Sequence, residues 1–396
     1  MLLDMEKYPV SFWNYVETGA LGKEEVAKWK ELGVNLAMSF EYDPKKHKKE
    51  QMTEMLDECA RLGLKVVVCD ARSHWNALKE QGRGAFIEGL KQAVEDFGSH
   101  KAVWGFHVGD EPHKGVWEEA IEAVRLQKSL APRLHPFVNF FAMWRGDSFA
   151  ETLGFEQARF GEKLEDFVRR SGLEFLMYDC YMQLVDHNRL MALNDYFINL
   201  NLFGAVAKRC GVPLWNTIGC FGGCGNRVPT EDDLRWQLNT SIAHGVKGIS
   251  WFYFYERRYH LMENFRGSPI DLYNRKTPMY DMVMRQTNIF NDHVAAVVNG
   301  YDAEKIYHFG VTFGNTEMFL EGADDIVRQV ESMNDTPLIV TRFLHPQTGK
   351  RIIGVCNLSQ TQPEKAKLYF YGKYKKFDGI SMFMSPGQIH FVKIDE

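Results

Sequence analysis

Carboxylates close several apolar segments of this sequence. Glu111 lies near the end of the segment 104–113, WGFHVGDEPH, Asp179 follows the run FLMY, and Glu41 follows an apolar run over 34–40. A protonated carboxyl can donate a proton, and an ionised carboxyl beside it can act as a nucleophile or activate water. Acids that share a partly dry pocket acquire unequal pKa values, which such chemistry requires.

A repeated strand–helix pattern has to position these acids. Apolar, β-branched runs alternate with amphipathic charged segments, several of which end at a glycine such as Gly63 or Gly211. Eight strands are predicted, at 10–16, 34–40, 64–70, 103–111, 136–140, 175–181, 212–218 and 248–255. The count favours a closed (β/α)8 TIM barrel over an open doubly wound sheet, which would carry a glycine-rich phosphate loop after its first strand.

The last quarter of the sequence has a different pattern. Short alternating runs at 309–313, 338–343, 352–357, 367–371 and 389–394 are separated by turn-forming residues. They predict a small antiparallel β-sandwich. The expected domains are therefore a catalytic barrel over 1–303 and a C-terminal sandwich over 304–396.

Alternation along a barrel strand separates residues that face the helices from residues that face the interior. On the fourth strand Trp104, Phe106 and Val108 are assigned to the helix side, which places His107 and Glu111 inside.

The second and sixth strands are interpreted in the same way. Leu36 and Met38 are assigned to the helix side, and Glu41 to the interior; Asp179 and Tyr181 are also assigned to the interior. Because barrel enzymes carry their chemistry at the carboxyl ends of the strands, the three acids are predicted to meet at one mouth.

The fourth-strand segment resembles a motif of clan A glycoside hydrolases, in which Asn-Glu or Asp-Glu, often followed by proline, ends strand four. The segment 248–255, GISWFYFY, resembles strand eight of that clan, whose tryptophan stacks on the sugar. The resemblance implies that Glu111 is the general acid/base and that Trp251 is a sugar platform. The clan's glutamate nucleophile on strand seven has no counterpart here, because 212–220 reads VPLWNTIGC.

Asp179 is the predicted substitute for the missing nucleophile, acting as nucleophile or as water-activating base. Strands four and six are two apart, so inward-leaning carboxyls are expected about 5–9 Å from one another, which leaves the stereochemical outcome open.

Further side chains near the predicted mouth have hydrogen-bonding or aromatic character that suits a sugar. For Glu41 and Asp70, salt bridges to Arg72 compete with this role. The residues predicted to contact substrate are Glu41, Asp70, His107, Asp110, Tyr181, Trp215, Asn216, Trp251 and Tyr253.

Two other functions fit the same residues. A metal-dependent sugar isomerase or epimerase could use as ligands Glu41, Asp70, His107, Glu111 and Asp179. A non-catalytic carbohydrate-binding barrel would explain the missing acid on strand seven. The leading prediction is a glycoside hydrolase with a carbohydrate as its partner and with neither a cofactor nor a metal.

Composition limits the other possibilities. The 396 residues are 45% hydrophobic and 25% charged, which excludes a disordered chain. The net charge of −5, from 47 basic and 52 acidic residues, predicts no affinity for nucleic acid or anionic membranes. An odd number of cysteines, seven, and an N-terminus without a secretory pattern predict a reduced cytoplasmic protein. A homo-oligomer is compatible with the sequence.

Overall fold

The computed structural model describes residues 5–185, 188–256 and 263–394. Eight strands alternate with helices before the C-terminal region, as predicted. The strands are β1 Val10–Phe12, β2 Leu36–Met38, β3 Lys65–Val68, β4 Val103–Asp110, β5 His135–Asn139, β6 Leu176–Asp179, β7 Leu214–Gly219 and β8 Gly248–Phe252. The helices are α1 Glu25–Glu31, α2 Lys49–Arg61, α3 Trp75–Ala93, α4 Trp117–Leu130, α5 Ser148–Leu153, α6 Phe160–Ser171, α7 Arg189–Cys210, α8 Glu231–Ala243, α9 Pro278–Ile289 and α10 Ala296–Val298.

The eight strands form two four-stranded parallel sheets, with neighbour orders β1-β8-β7-β6 and β2-β3-β4-β5. Where β5 and β6 meet, Phe140 pairs with Tyr178. Where β1 and β2 meet, the Asn35 N–H donates to the Val10 carbonyl oxygen at 3.1 Å, and the Asn35 side chain accepts from the Val10 N–H at 2.9 Å. This α/β arrangement of parallel sheets is consistent with a TIM barrel.

An aromatic cluster fills the space between the two sheets. Trp104 stacks on Trp215 with ring centroids 5.8 Å apart, and Phe175 lies 4.5 Å from Trp215. Trp104 therefore faces the interior, and the prediction that it faces the helices is wrong. The cause is a β-bulge: β3 pairs with Val103 and next with Gly105, so Trp104 is skipped and the alternation reverses there.

The alternation predicted for β2 also fails. Leu36 and Met38 belong to the interior cluster, and Ala37 belongs to the core beneath the helices. The strand ends at Met38, so Phe40 no longer follows its alternation and packs against Trp29 in the helix layer, with centroids 5.5 Å apart. The faces predicted from alternation were therefore wrong for Leu36, Ala37 and Met38, because β2 is shorter than the predicted strand.

The C-terminal region is a β-sheet domain with two layers, ordered β10-β9-β12-β13-β16 and β11-β14-β15. Side chains of both sheets share one apolar core. The first strand of this region was predicted at 309–313, but it begins at Asp302 and ends at Phe309. The strands are β9 Asp302–Phe309, β10 Glu317–Met318, β11 Val327–Ser332, β12 Leu338–Leu344, β13 Arg351–Asn357, β14 Glu364–Phe370, β15 Ile380–Met384 and β16 Ile389–Lys393.

This domain packs against α8. The indole N–H of Trp236 donates to the Leu358 carbonyl oxygen at 2.8 Å, and the Asn239 amide donates to the Gly387 carbonyl oxygen at 2.8 Å. Both bonds are buried, and a buried polar group that lost its partner would destabilise the interface. The two regions are therefore joined by specific hydrogen bonds as well as by apolar contact.

The predicted cellular location concerns the state of the cysteines and the composition of the helices. All seven cysteines are free thiols. No helix within the described ranges has both the length and the apolar composition needed to cross a bilayer. The cytoplasmic location stays a prediction.

Replacing Gly387 by alanine should destabilise the interface. Gly387 has a φ of 67°, and a Cβ there would lie 2.4 Å from the Cα of Trp236. We expect a loss of about 2–4 kcal/mol in the free energy of unfolding, measured by urea denaturation. Gly379→Ala is the matched control, because Gly379 has a φ of 75° with open space around its Cα; its cost should be about 1 kcal/mol. Equal losses would contradict the packing argument.

Candidate active site

The end of β4 is irregular, and the irregularity directs its acids. β5 pairs with His107 and next with Gly109, so Val108 is skipped as a second bulge. Gly109 has a φ of 154°, and a Cβ there would lie 2.5 Å from the ring of Trp75, so only glycine fits. Beyond this bulge Asp110 is directed into the interior, where it meets the acid of β6.

Glu111 continues this turn. Its φ of 52° lies in the left-handed region, which few residues other than glycine adopt. Its N–H donates to the Asn139 carbonyl oxygen at 2.9 Å, and its carboxyl is hydrogen-bonded to that of Asp179. The expected separation of about 5–9 Å is therefore wrong for this structure, because the turn carries the Glu111 side chain across β5 to β6.

Asn139, at the end of β5, links the two aspartates. Its side-chain amide donates to Asp110 at 3.0 Å and to Asp179 at 2.8 Å. The Thr217 hydroxyl of β7 donates to the Asn139 side-chain oxygen at 3.3 Å. The amide nitrogen, with its two hydrogens, therefore faces the carboxylates. We call Asp110, Glu111 and Asp179 the carboxyl cluster.

Burial raises the pKa of all three members of the cluster. For Glu111, repulsion from Asp179 and from Asp110 adds to the effect of burial. For Asp110, repulsion from Asp179 adds to it. For Asp179, hydrogen bonds from Asn139, Tyr181 and Glu111 oppose burial. These bonds favour an anion on Asp179 and a proton on Glu111.

An aromatic wall stands beside the cluster. The Tyr181 and Phe252 rings stack with centroids 5.5 Å apart, and Tyr15 meets Phe252 edge-on at 6.1 Å. All three residues are half-buried, so part of each side chain is accessible. Hydrogen-bonding carboxyls beside partly exposed rings suit a ligand with polar edges and apolar faces, such as a sugar.

His107 lies in the interior as predicted by parity. Its ring is 5.4 Å from that of Trp13 and 5.8 Å from that of His74. Burial lowers the pKa of His107 to about 3 and that of His74 to about 4, so both rings are neutral at pH 7. Contact between His107 and a substrate stays a prediction.

The structure corrects two residues assigned to the site. Trp251 belongs to the core beneath the helices, and its indole N–H donates to the Thr287 hydroxyl of α9 at 3.1 Å. The amide of Asn216 donates to the Ser241 hydroxyl of α8 at 2.9 Å. Both side chains point outward by strand alternation, so neither is part of the mouth.

Asp70 is also turned away from the cluster. Its two carboxylate oxygens accept hydrogen bonds from Arg72 at 3.0 and 2.7 Å, and Arg72 bonds in turn to Asp96 at 2.8 Å. The competing interpretation of Asp70 as a salt-bridge residue is the one that the structure supports.

Three other residues predicted to contact the substrate, Trp215, Tyr253 and Glu41, lie in different surroundings from the carboxyl cluster. Trp215 and Tyr253 are interior but 1% and 0% exposed, so they form part of the packed core rather than an open surface. Glu41 is exposed after β2. Burial raises the pKa of the Cys69 thiol, and the charge of Glu41 adds to this effect. The structure thus brings together Asp110, Glu111, Asp179 and Tyr181.

Four residues of the site escaped sequence analysis. They are Asn139, Thr217, Tyr15 and Phe252. A single asparagine at the end of an apolar strand between the two acid-bearing strands was a usable signal. No comparable signal marked the others, because their roles depend on which face each short strand presents.

No group of three or more histidine, cysteine, aspartate or glutamate side chains in the described part of the chain is arranged to hold a metal ion. The ligand set of the isomerase alternative is not assembled, since Asp70 pairs with Arg72 on the helix side.

Comparison with known proteins supports the fold. No protein family model matches the chain, and no curated protein matches its sequence. Among solved structures, a glycoside hydrolase family 5 protein from Bacteroides vulgatus has a TM-score of 0.60 at 11% identity, covering 98% of this chain and 89% of its own. A β-galactosidase from Rahnella sp. R3 has a TM-score of 0.58 at 13% identity, covering 78% and 59%.

A catalytic mutant of a family 42 β-galactosidase from G. stearothermophilus has a TM-score of 0.55 at 12% identity, covering 73% of this chain and 57% of its own. This chain therefore spans less than two thirds of the length of these β-galactosidases. The structural neighbours are glycoside hydrolases of the clan A barrel type, and at these identities the likeness is one of fold.

Glu111→Gln should raise the free energy of unfolding at neutral and alkaline pH. The folded-state pKa of Glu111 is raised above its ordinary value of 4.5, so its contribution to stability is complete below pH 4.5 and is lost as the pH rises through the raised pKa. Glutamine cannot ionise, so we expect a gain of about 1–3 kcal/mol at pH 8 and no gain at pH 4, measured by urea denaturation. A gain of equal size at both pH values would contradict the electrostatic explanation.

Proposed function

We propose that this chain is a glycoside hydrolase acting at the carboxyl-terminal mouth of a closed (β/α)8 barrel, over residues 1–303. Residues 304–396 then form an appended β-sandwich. The observation that carries the proposal is that the strand-end carboxyls of Asp110, Glu111 and Asp179, in unlike surroundings, meet around Asn139. The partly exposed aromatic wall and the fold similarity to glycoside hydrolases support it.

Glu111 is the proposed general acid. Its surroundings keep it protonated near neutral pH, because burial and two neighbouring aspartates disfavour its anion. It donates that proton to the glycosidic oxygen as the bond to the anomeric carbon breaks. Afterwards it accepts a proton from the incoming water if a covalent intermediate has formed.

Asp179 is the proposed nucleophile or water-activating base. Hydrogen bonds from Asn139 and Tyr181 support its anion. Its contact with Glu111 must open for a sugar to enter, since retaining enzymes hold their carboxyls about 5–5.5 Å apart and inverting enzymes about 6.5–9.5 Å. Binding therefore has to replace the Glu111–Asp179 hydrogen bond by one from Glu111 to the glycosidic oxygen.

The second carboxylate lies on β6 rather than β7. β7 reads LWNTIG and contributes Thr217, which faces the cluster through Asn139. In this proposal the acid that clan A glycosidases carry on strand seven is replaced by one from the neighbouring strand β6, which lies between β5 and β7. The β-galactosidases among the structural neighbours make β-D-galactosides the first substrates to assay.

Glu111→Gln should lower kcat/KM by about 10²–10⁴-fold on an oligosaccharide. The loss should be much smaller on a 4-nitrophenyl glycoside, because nitrophenolate leaves without help from an acid. Asp179→Asn should abolish turnover of both substrates. Steady-state kinetics on a 4-nitrophenyl glycoside and the matching disaccharide would measure both effects.

Asp70→Asn is the control for loss of a buried strand-end carboxyl outside the cluster. It should lower the thermal stability, since Arg72 loses one of its two carboxylate partners, and leave turnover near the wild-type value. Equal losses of Glu111→Gln on both substrates would refute the acid role. Saturable binding of a sugar by the wild-type protein without any product would instead identify a carbohydrate-binding barrel.

A further inference from the structure

Asn139 contacts every member of the carboxyl cluster. Its side-chain amide donates one hydrogen bond to Asp110 and one to Asp179, and its backbone carbonyl accepts from the Glu111 N–H. An amide nitrogen has two hydrogens, so both of its donor positions are in use. Asn139 is 3% exposed, which keeps water from competing for these bonds.

Thr217 hydrogen-bonds to the other end of that amide. Its hydroxyl donates from β7 to the Asn139 side-chain oxygen on β5, in a buried contact of 3.3 Å. If the amide were rotated by 180°, its oxygen would face two carboxylates and its nitrogen would face the hydroxyl. The carboxylates, which only accept, therefore select the observed orientation, and the Thr217 hydroxyl holds the amide in it by donating to its oxygen.

We propose that Asn139 and Thr217 are positioning residues that stabilise the Asp179 anion and thereby leave the proton between Asp179 and Glu111 on Glu111. This inference rests on the proposed function, because it assigns the proton that the general acid donates. Neither residue is proposed to touch the substrate.

Of the groups that face the carboxyl cluster, the Asn139 amide is the one that donates to both aspartates. Asp110 and Glu111 come from β4, Asp179 from β6, and the Tyr181 hydroxyl donates to Asp179. His107, also on β4, is neutral. Among the described residues, the side chains that hydrogen-bond to the two aspartates are Asn139, Tyr181 and Glu111. A neutral amide is therefore the donor that the two aspartates share.

Thr217→Val tests the inference with little change in volume. Without the hydroxyl, the amide oxygen loses its hydrogen bond, the Asn139 side chain is held less firmly, and the Asp179 anion loses part of its support. The acidic limb of the pH profile of kcat/KM should move up by about 0.5–1 pH unit. Thr217→Ser keeps the hydroxyl and should restore the wild-type profile, which a purely structural role of the methyl group would not explain.

Ser250→Ala is the matched control. Ser250 is the register partner of Thr217 on β8, is equally buried, and its hydroxyl has no hydrogen-bond partner in the described structure. Its profile should coincide with that of the wild type. An equal shift in Ser250→Ala and Thr217→Val would overturn the inference.

A second measurement does not depend on catalysis. Carbon-13 NMR of side-chain carboxyls, assigned with Asp179→Asn, should show the titration of Asp179 moved upward in Thr217→Val and unmoved in Ser250→Ala. An unchanged titration in Thr217→Val would overturn the positioning role even if activity fell. If the wild-type protein cleaved no glycoside, the proposed function would fail, while the NMR titration would still decide the roles of Asn139 and Thr217.

Discussion

Mutual repulsion among three carboxyls that share one hydrogen-bonded cluster is the constraint on which this end of the molecule depends. Burying several acids without an opposing charge is costly, and the cost falls when one acid keeps its proton and neutral donors support the others. Here burial and the neighbouring aspartates raise the pKa of Glu111, while Asn139 donates to both aspartates. The same arrangement that limits stability gives the carboxyls unequal pKa values, which acid–base catalysis requires.

The backbone of β4 makes this arrangement possible through local irregularity. A regular strand would place consecutive residues on opposite faces, so Asp110 and Glu111 could not both reach Asp179. The bulge at Val108 and the left-handed conformation of Glu111 remove that restriction. Such conformations persist where the surroundings hold them, and the Trp75 ring packed over Gly109 supplies part of that support.

Helix α8 connects the site with the C-terminal domain. On one side it holds β7, since Gln237 accepts from the Gly219 N–H at 2.8 Å and Ser241 accepts from Asn216. On the other side Trp236 and Asn239 donate to the C-terminal domain. The appended sheets therefore support the strand that carries Thr217, although they lie outside the carboxyl cluster.

The sequence by itself determined the order of strands and helices, the change to β-structure in the last quarter of the chain, and the acids at the ends of β4 and β6. Those features follow from hydrophobic periodicity and from strand-end position, which are local properties of the chain. Tertiary structure alone decided that Trp104, Leu36 and Met38 face the interior, that Trp251 and Asn216 face the helices, and that Asn139 joins the acids. The physical reason is register: a bulge or the early end of a short strand changes the face of the residues beyond it, and that depends on the neighbouring strand, which no local pattern reports.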